Sequence, residues 1–378
     1  MALIQRGARL RRSPYFEATQ RYGARAYTVY NHMLFPICFG DLEDEYWHLV
    51  NHVTLWDVAV ERQVEITGPD AFTFVDMLTP RDLSRCAVGQ GKYVVITAED
   101  GGIINDPVLL RLGEQHFWLA LADSDVLLWA RGVALNSELR VGIVEADVSP
   151  LQVQGPRAKD VMQSLFGDRV AALGYYRFFE TALDGIPVVV TRTGWSGELG
   201  YEVYLCDGSR GDELWERVMQ AGRPHHIRPT GPSDIRRIEA GILNWGADFG
   251  LENNVYEVGL GRLVDEGKSA HYIGRDALAR IKAEGVKRNL VGIEIDGERV
   301  AFNATKWPVK ARNEQIGQVT SAIWSPRLKK NIGYAMLPVA HSALGTRLRV
   351  EVAGMGGRNA TVVRMPFVDP DKRIPKES

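Results

Sequence analysis

The residues of this 378-residue chain best suited to chemistry lie between Thr191 and Tyr204, in the run T-R-T-G-W-S-G-E-L-G-Y-E-V-Y. Trp195 offers a flat apolar face and Glu202 a bidentate acceptor, at the two ends of one turn. Gly194, Gly197 and Gly200 let the backbone between them bend tightly and take φ > 0 without steric cost. A flat face near a fixed carboxylate suits a planar heterocycle carrying N–H donors, such as a pterin. An ordinary β-hairpin with glycines at its turn and Glu202 on its surface accounts for the same residues.

A second carboxylate stands in Gly101-Gly102-Ile103-Ile104-Asn105-Asp106-Pro107. The proline after Asp106 pushes it towards extended geometry. Two β-branched residues precede it, so Asp106 is expected where a buried strand meets a cavity, unless it is only an Asx-type turn residue. Tyr93 comes from the neighbouring strand. Ala26–Pro36 is aromatic and polar at once, with Tyr27, Tyr30, His32 and Phe35. Such a mix packs a core or lines a pocket for a small aromatic or cationic group. Arg237, beside an apolar stripe, is either a snorkelling surface residue or a buried partner for a carboxylate. His48 and His52 lie one helical turn apart, but no acid completes a metal site, so no metal is expected. Gly354-Met355-Gly356-Gly357 sits between two strands, which makes it a hairpin turn and not a dinucleotide loop. Gly194-Trp195-Ser196-Gly197 lacks the spacing of a hydrolase elbow.

These residues need elements to hold them. Gln63–Thr67 reads as a strand, Gly68-Pro69 as a turn and D-A-F-T-F-V-D-M-L as a helix starting at Asp70. The pattern returns as the strand Leu151–Gln154, the turn Gly155-Pro156 and the helix R-A-K-D-V-M-Q-S-L-F-G. Strand pairs follow each copy: Lys92–Thr97 with Ile103–Leu112, then Arg177–Leu183 with Ile186–Thr193. A duplicated unit of this kind gives an α+β fold whose ligand sits at the pseudo-symmetry axis. Asp41 is placed to cap the helix L-E-D-E-Y-W-H-L-V-N-H-V, and Ser233 to cap S-D-I-R-R-I-E-A-G-I-L-N-W-G. From Leu290 on, the strands Leu290–Ile295, Ile316–Trp324, Asn331–Met336, Thr346–Val352 and Asn359–Pro366 suggest a small C-terminal barrel or sandwich.

Composition narrows the partners. With 45 basic against 47 acidic residues and a net charge of −2, no global field recruits nucleic acid or an anionic membrane. No apolar run approaches the roughly 20 residues that span a bilayer. The three cysteines are scattered, which fits a reducing, cytoplasmic setting. The Arg-rich start is expected to be a basic disordered arm.

Taken together, Gly68–Ala71, Gly102–Pro107, Leu151–Ala158, Gly194–Tyr204, Arg237–Gly241, Ile273–Leu278 and Gly317–Ser321 resemble the aminomethyltransferase (glycine-cleavage T-protein) family of folate-binding enzymes. Y-T-V-Y-N-H-M-L-F-P, N-H-V-T-L-W-D-V-A-V-E-R-Q-V and I-I-N-D-P-V are more similar to the dimethylsulfoniopropionate demethylase-like branch. That branch resembles G-W-S-K-Q-G-G where this chain has Gly197 and Glu198, a departure that bears on the sulfonium substrate. The resemblance implies a three-lobed fold, with a folate-binding region over residues 1–280, a barrel over 281–378 and tetrahydrofolate in a central channel. It implies that Glu202 holds the pterin and that Trp195 and Tyr204 lie near folate or substrate. Asp106 would face the folate N5/N10 region with Tyr93 beside it, and Arg237 would be a structural or folate-tail contact. A homodimer is compatible with this reading.

The implied reaction moves a methyl group from a small donor to N5 of tetrahydrofolate, through positioning and not a covalent enzyme intermediate. A sulfonium donor leaves as a neutral thioether and needs only faces that stabilise its cation. An aryl methyl ether leaves as a phenolate and needs a proton donor; Tyr30, His32, His225 and His226 are the candidates. The glycine-and-glutamate change favours a methoxylated aromatic acid, and the N-terminal segments favour the sulfonium. An aminomethyl transfer with a lipoylated carrier, or folate binding without turnover, remains as the alternative.

Overall fold

The computed structural model describes residues 7, 9–312 and 314–377. Two mainly antiparallel sheets and a closed barrel carry it. The first sheet runs, in spatial order, Gly142–Glu145, Gln63–Thr67, His116–Ala120, Val108–Gly113, Gln90–Tyr93. The second runs Ile227–Pro229, Val53–Asp57, Ser149–Gln154, Gly200–Leu205, Ile186–Thr191, Phe178–Leu183. The duplication is therefore physical, and the two copies are interlocked. Val53–Asp57 directly precedes the first copy but pairs with Ser149–Gln154 of the second. Gly142–Glu145 directly precedes the second copy but pairs with Gln63–Thr67 of the first. Each sheet thus takes one strand from the other's lead-in, which ties the halves into one unit around a shared centre. Gly68 (φ +121°) and Gly155 (φ +122°) turn each copy's strand into its helix. A side chain there would run into a backbone carbonyl of the lead-in segment, Arg140 or His52, so the turn requires glycine.

Asp41 caps its helix as expected, accepting from the N–H groups of Glu43 and Asp44. Asp70 does not cap its own: its carboxylate accepts from Arg140 N at 2.8 Å instead. Ser233 caps a helix of only six residues, Asp234–Glu239. Gly241, at φ +67°, stops it, and the residues up to Trp245 form a loop that Asp248 fastens through Asn244 N at 2.9 Å. The barrel closes through six strands, Arg288–Ile295, Lys330–Pro338, Glu314–Ser325, Trp307–Ala311, Arg347–Val352 and Gly356–Val363. Trp307–Ala311 escapes sequence reading because Pro308 lowers its strand signal.

Residues 1–6 and 8 of the expected N-terminal arm lie outside the described residues. The arm is built in from Arg11 onwards: Arg11 N donates to His32 O at 2.8 Å, and Ser13 Oγ donates to the buried Asp57 at 2.5 Å. No helix among the described residues is long and apolar enough to cross a membrane.

Candidate active site

Residues from both sheets, from the segment 231–263 and from the barrel side line one cavity of ≈ 1110 Å³. Tyr30, Tyr93, Asp106, Trp195 and Glu202 all face it. Chain segments far apart in sequence bring them there, and the strand register explains how.

Glu202 sits in a central strand with Gln152 directly opposite on one side and Thr191 on the other. It is 3% exposed, so the hairpin is real but its glutamate is not on the surface. Gln152 Nε2 donates to Oε1 at 2.7 Å. Tyr204, two residues on and hence on the same face, donates from Oη to Oε2 at 2.9 Å, and Thr193 and Thr191 donate to the same oxygen. Burial raises the carboxyl above its usual range while these donors hold it down. With Oε2 crowded and Oε1 carrying one donor, the free acceptor capacity is on Oε1. Tyr204 is fully buried behind the carboxylate and does not line the cavity; its place is to orient Glu202.

The loop before Glu202 is held by a buried amide. Gln154 reaches towards the carbonyls of Thr193 and Tyr201 at 3.5 Å and accepts from Ser196 Oγ at 2.7 Å. Of the three loop glycines only Gly197 has a positive φ, +72°. Gly194 and Gly200 are needed for another reason: the Gln154 amide occupies the space a Cβ would take.

Asp106 is aimed by its neighbour. Asn105 is fully buried, donates to Ala122 O at 3.0 Å and Ser124 Oγ at 2.7 Å, and accepts from Ala122 N at 3.1 Å. The next side chain, on the opposite face of the extended chain, is thereby turned to the cavity. Tyr93 Oη donates to Asp106 Oδ2 at 2.8 Å, and the Asp106 backbone N–H also favours the carboxylate. Burial pushes the Asp106 carboxyl up to about 7, against the Tyr93 hydrogen bond, with Asp248 adding to the rise. Burial also raises Tyr30, and the charges of Asp106 and Glu61 raise it further.

Sequence reasoning missed Glu61, Gln152 and Trp245, all of which line the cavity. Glu61 is raised by burial and then by the charges of Glu202 and Asp106. The available signal was a polar residue within an otherwise buried strand, as at Gln152 in S-P-L-Q-V-Q. For Glu61, no periodicity marks it.

Two expectations need correction, and one alternative left open, that for Arg237, is decided. His32 is exposed at the turn between Ala26–Tyr30 and Met33–Cys38, away from the cavity. Its positive φ of 61° belongs to that tight turn. Arg237 does not line the cavity either. It is fully buried and binds Asp234 at 2.7 Å, Asp248 at 2.8 Å and Ser321 Oγ at 2.9 Å. Burial opposes its charge, but Asp248 and Asp234 raise its pKa. Its guanidinium stands 5.6 Å from the Trp195 ring centroid, so it backs the tryptophan and joins helix to barrel. Lastly, Gly197 and Glu198 do not face the cavity. Glu198 pairs with buried Arg236 at 2.6 Å, so this departure alters the support of the loop and not the substrate wall.

No ion pair reaches Glu61, Asp106 or Glu202 among the described residues, and Arg81, Lys92, Arg262, Lys372 and Lys376 line the same cavity. Tetrahydrofolate carries groups for both, N–H donors on the pterin and carboxylates on its tail. No group of His, Cys, Asp and Glu among the described residues is arranged to hold a metal ion.

A two-sheet core with an exchanged strand, a closed barrel and a carboxylate-walled cavity define a class of folate enzyme, and comparison with known proteins agrees. The model of the GCVT N-terminal domain matches residues 4–268, and that of the glycine cleavage T-protein C-terminal barrel domain matches residues 288–369. The chain belongs to the glycine cleavage T-protein family, whose cosubstrate is tetrahydrofolate. It is 41% identical over 362 residues to dimethylsulfoniopropionate demethylase of Ruegeria pomeroyi, covering 96% of this chain and 98% of that one. To an aminomethyltransferase of Bacillus cytotoxicus it is 30% identical, covering 95% and 98%. The glycine cleavage system aminomethyltransferase T of Bartonella henselae shares the fold at a TM-score of 0.85 and 23% identity, over 95% of this chain and 98% of that one.

Proposed function

We propose that this protein is a tetrahydrofolate-dependent demethylase whose methyl donor is a small cationic S-methyl compound of the dimethylsulfoniopropionate kind. One observation carries the reading: Glu61 and Asp106 share the cavity with Tyr30 and Trp245, and no basic side chain among the described residues pairs with either acid. Carboxylates and aromatic faces together stabilise a sulfonium. The identity to the demethylase of Ruegeria pomeroyi supports the same donor.

Bound tetrahydrofolate supplies N5 as the nucleophile, giving 5-methyltetrahydrofolate. The chain's residues do the rest. Glu202, locked by Gln152, Thr193 and Tyr204, fixes the pterin by its N–H groups. Trp195, backed by Arg237, forms an apolar wall. Asp106 accepts at Oδ1 the proton that methyl transfer releases, and a carboxyl raised to about 7 suits that role. Tyr93 keeps Oδ2 engaged and the carboxylate oriented.

An aryl methyl ether donor would instead need a proton at the leaving oxygen. His32, His225 and His226 are outside the cavity, so Tyr30 or Asp106 in its protonated form would have to provide it. Incubation of protein and tetrahydrofolate with dimethylsulfoniopropionate, or with methoxybenzoates, decides between them by following 5-methyltetrahydrofolate. Product only from the ethers would refute the sulfonium reading, and product from neither would reopen aminomethyl transfer.

A further inference from the structure

Glu61 and Glu202 meet at one amide. Gln152 Nε2 donates to Glu202 Oε1 at 2.7 Å and stands 3.5 Å from Glu61 Oε1. The two carboxyls are supported unequally. Glu202 also accepts from Tyr204, Thr191 and Thr193, whereas the long contact to Gln152 is the one hydrogen bond to the Glu61 carboxyl among the described residues. The backbone of Glu61 is held beside this amide, its N–H donating to Val58 O at 2.9 Å and its carbonyl accepting from Gln63 Nε2 at 2.5 Å.

The charges acting on Glu61 are of one sign. Burial first, then the charges of Glu202 and Asp106, raise its carboxyl well above the usual range. Tyr30 and Tyr204, the hydroxyls that feel Glu61, are themselves raised and so stay neutral. Arg62, next in sequence, is paired with Glu145. Arg81, Lys92, Arg262, Lys372 and Lys376 line the same cavity, but none of them enters the balance at Glu61. Acids crowded in this way, with no cation to answer them, keep a proton between them.

We propose that Glu61 exchanges a proton for the positive charge of the methyl donor: it is a neutral acid in the resting enzyme, an anion while the sulfonium is bound, and a neutral acid again once the donor has become a thioether. The proposal rests on the cationic-donor reading above and deepens it. Hydrogen bonds place the resting proton on Glu61 and not on Glu202, because four side-chain donors hold Glu202 as the carboxylate. The shared amide gives a second reason. Gln152 Oε1 is a buried acceptor without a donor among the described residues; an ionised Glu61 has no hydrogen to offer it, and a protonated one has.

The protons balance over a turnover. Donor binding sends the Glu61 proton to solvent, so the charge of the cluster is unchanged. Methyl transfer breaks the S–CH3 bond, whose electron pair stays on sulfur, and forms the N5–CH3 bond. The N5 proton passes by way of Asp106 to Glu61. Each turnover still yields one proton, released at the binding step and not after the chemistry. The exchange also clears the product, because a neutral thioether beside a neutral acid has no charge to hold it.

The test is infrared difference spectroscopy at about pH 7. The free protein is expected to show the carbonyl band of a protonated carboxyl, lost in Glu61→Gln and kept in Asp106→Asn. Dimethylsulfoniopropionate should remove that band from the unaltered protein, while the thioether left when it loses a methyl group should not. Calorimetry in buffers of different ionisation enthalpy should count about one proton more released per donor bound by the unaltered protein than by Glu61→Gln. Retained tetrahydrofolate affinity reports that this variant is folded. A free protein without the band, a band that survives Glu61→Gln, or donor binding without proton release overturns the exchange. A free protein that has the band but binds no sulfonium upholds the resting state of Glu61 and counts against the donor reading instead.

Discussion

Gln152 and Glu202 face each other across adjacent antiparallel strands, with Gln152 Nε2 2.7 Å from Glu202 Oε1. The pair fixes the carboxylate that we propose meets the pterin, and it exists only because the second sheet is completed by strands in this order. Replacing Glu202 by Gln removes the charge from its hydrogen bonds and leaves Thr193 and Tyr204 facing an amide. Tetrahydrofolate affinity should fall about 100-fold, the scale of one charge-assisted hydrogen bond, as read by titration calorimetry.

The Tyr93–Asp106 bond sets a pH dependence. If Asp106 works as the carboxylate, kcat/KM for the sulfonium rises with pH and levels off above about 7. Tyr93 lowers the Asp106 pKa, so Tyr93→Phe should move the inflection upward and reduce the rate at neutral pH by about tenfold. A profile that instead falls through 7 would identify Asp106 as an acid and favour an aryl ether donor.

Stability should respond to the same carboxyls with a definite sign. Asp57 is raised to about 6 and Asp106 to about 7, both chiefly by burial. A raised carboxyl binds its proton more tightly in the folded state, so its contribution is full below the ordinary value of about 3.9 and is lost as pH climbs through the folded value. Urea midpoints measured from pH 4 to 8 should therefore depend less on pH in Asp57→Asn, most visibly between 4 and 6.

Arg237 tests the distinction between a cofactor contact and a strut. Arg237→Met leaves Asp248 buried without its cation, which should cost about 3–5 kcal/mol. The melting temperature should drop sharply. In contrast, His32→Ala should leave kcat, KM and melting temperature unchanged, because His32 touches no part of the cavity.

Glu61→Gln separates donor classes. Removing that charge should raise KM for a cationic donor by about tenfold, while the affinity for tetrahydrofolate, measured separately, stays within twofold to threefold. A loss of folate affinity in its place would assign Glu61 to the pterin.

The sequence by itself determined the duplicated α+β units, the strand-rich C-terminal part and the strand on which Glu202 lies, because these follow from local patterns: strand alternation, Gly-Pro turns and helix caps. It also marked Asp106, through the proline behind it. What depended on contacts between distant segments was decided only in three dimensions. Periodicity carries no record of the lead-in strands crossing between the sheets, nor of Gln154 filling the space beside Gly194 and Gly200. For Arg237 the sequence left a surface residue and a buried carboxylate partner both open, and packing chose the second, with Asp248; only packing showed that Glu198 is answered inside the protein, by Arg236. Glu61 was the reverse case. Nothing in its neighbours along the chain distinguishes it, and it gains its raised carboxyl from burial and from two other acids brought beside it by the fold.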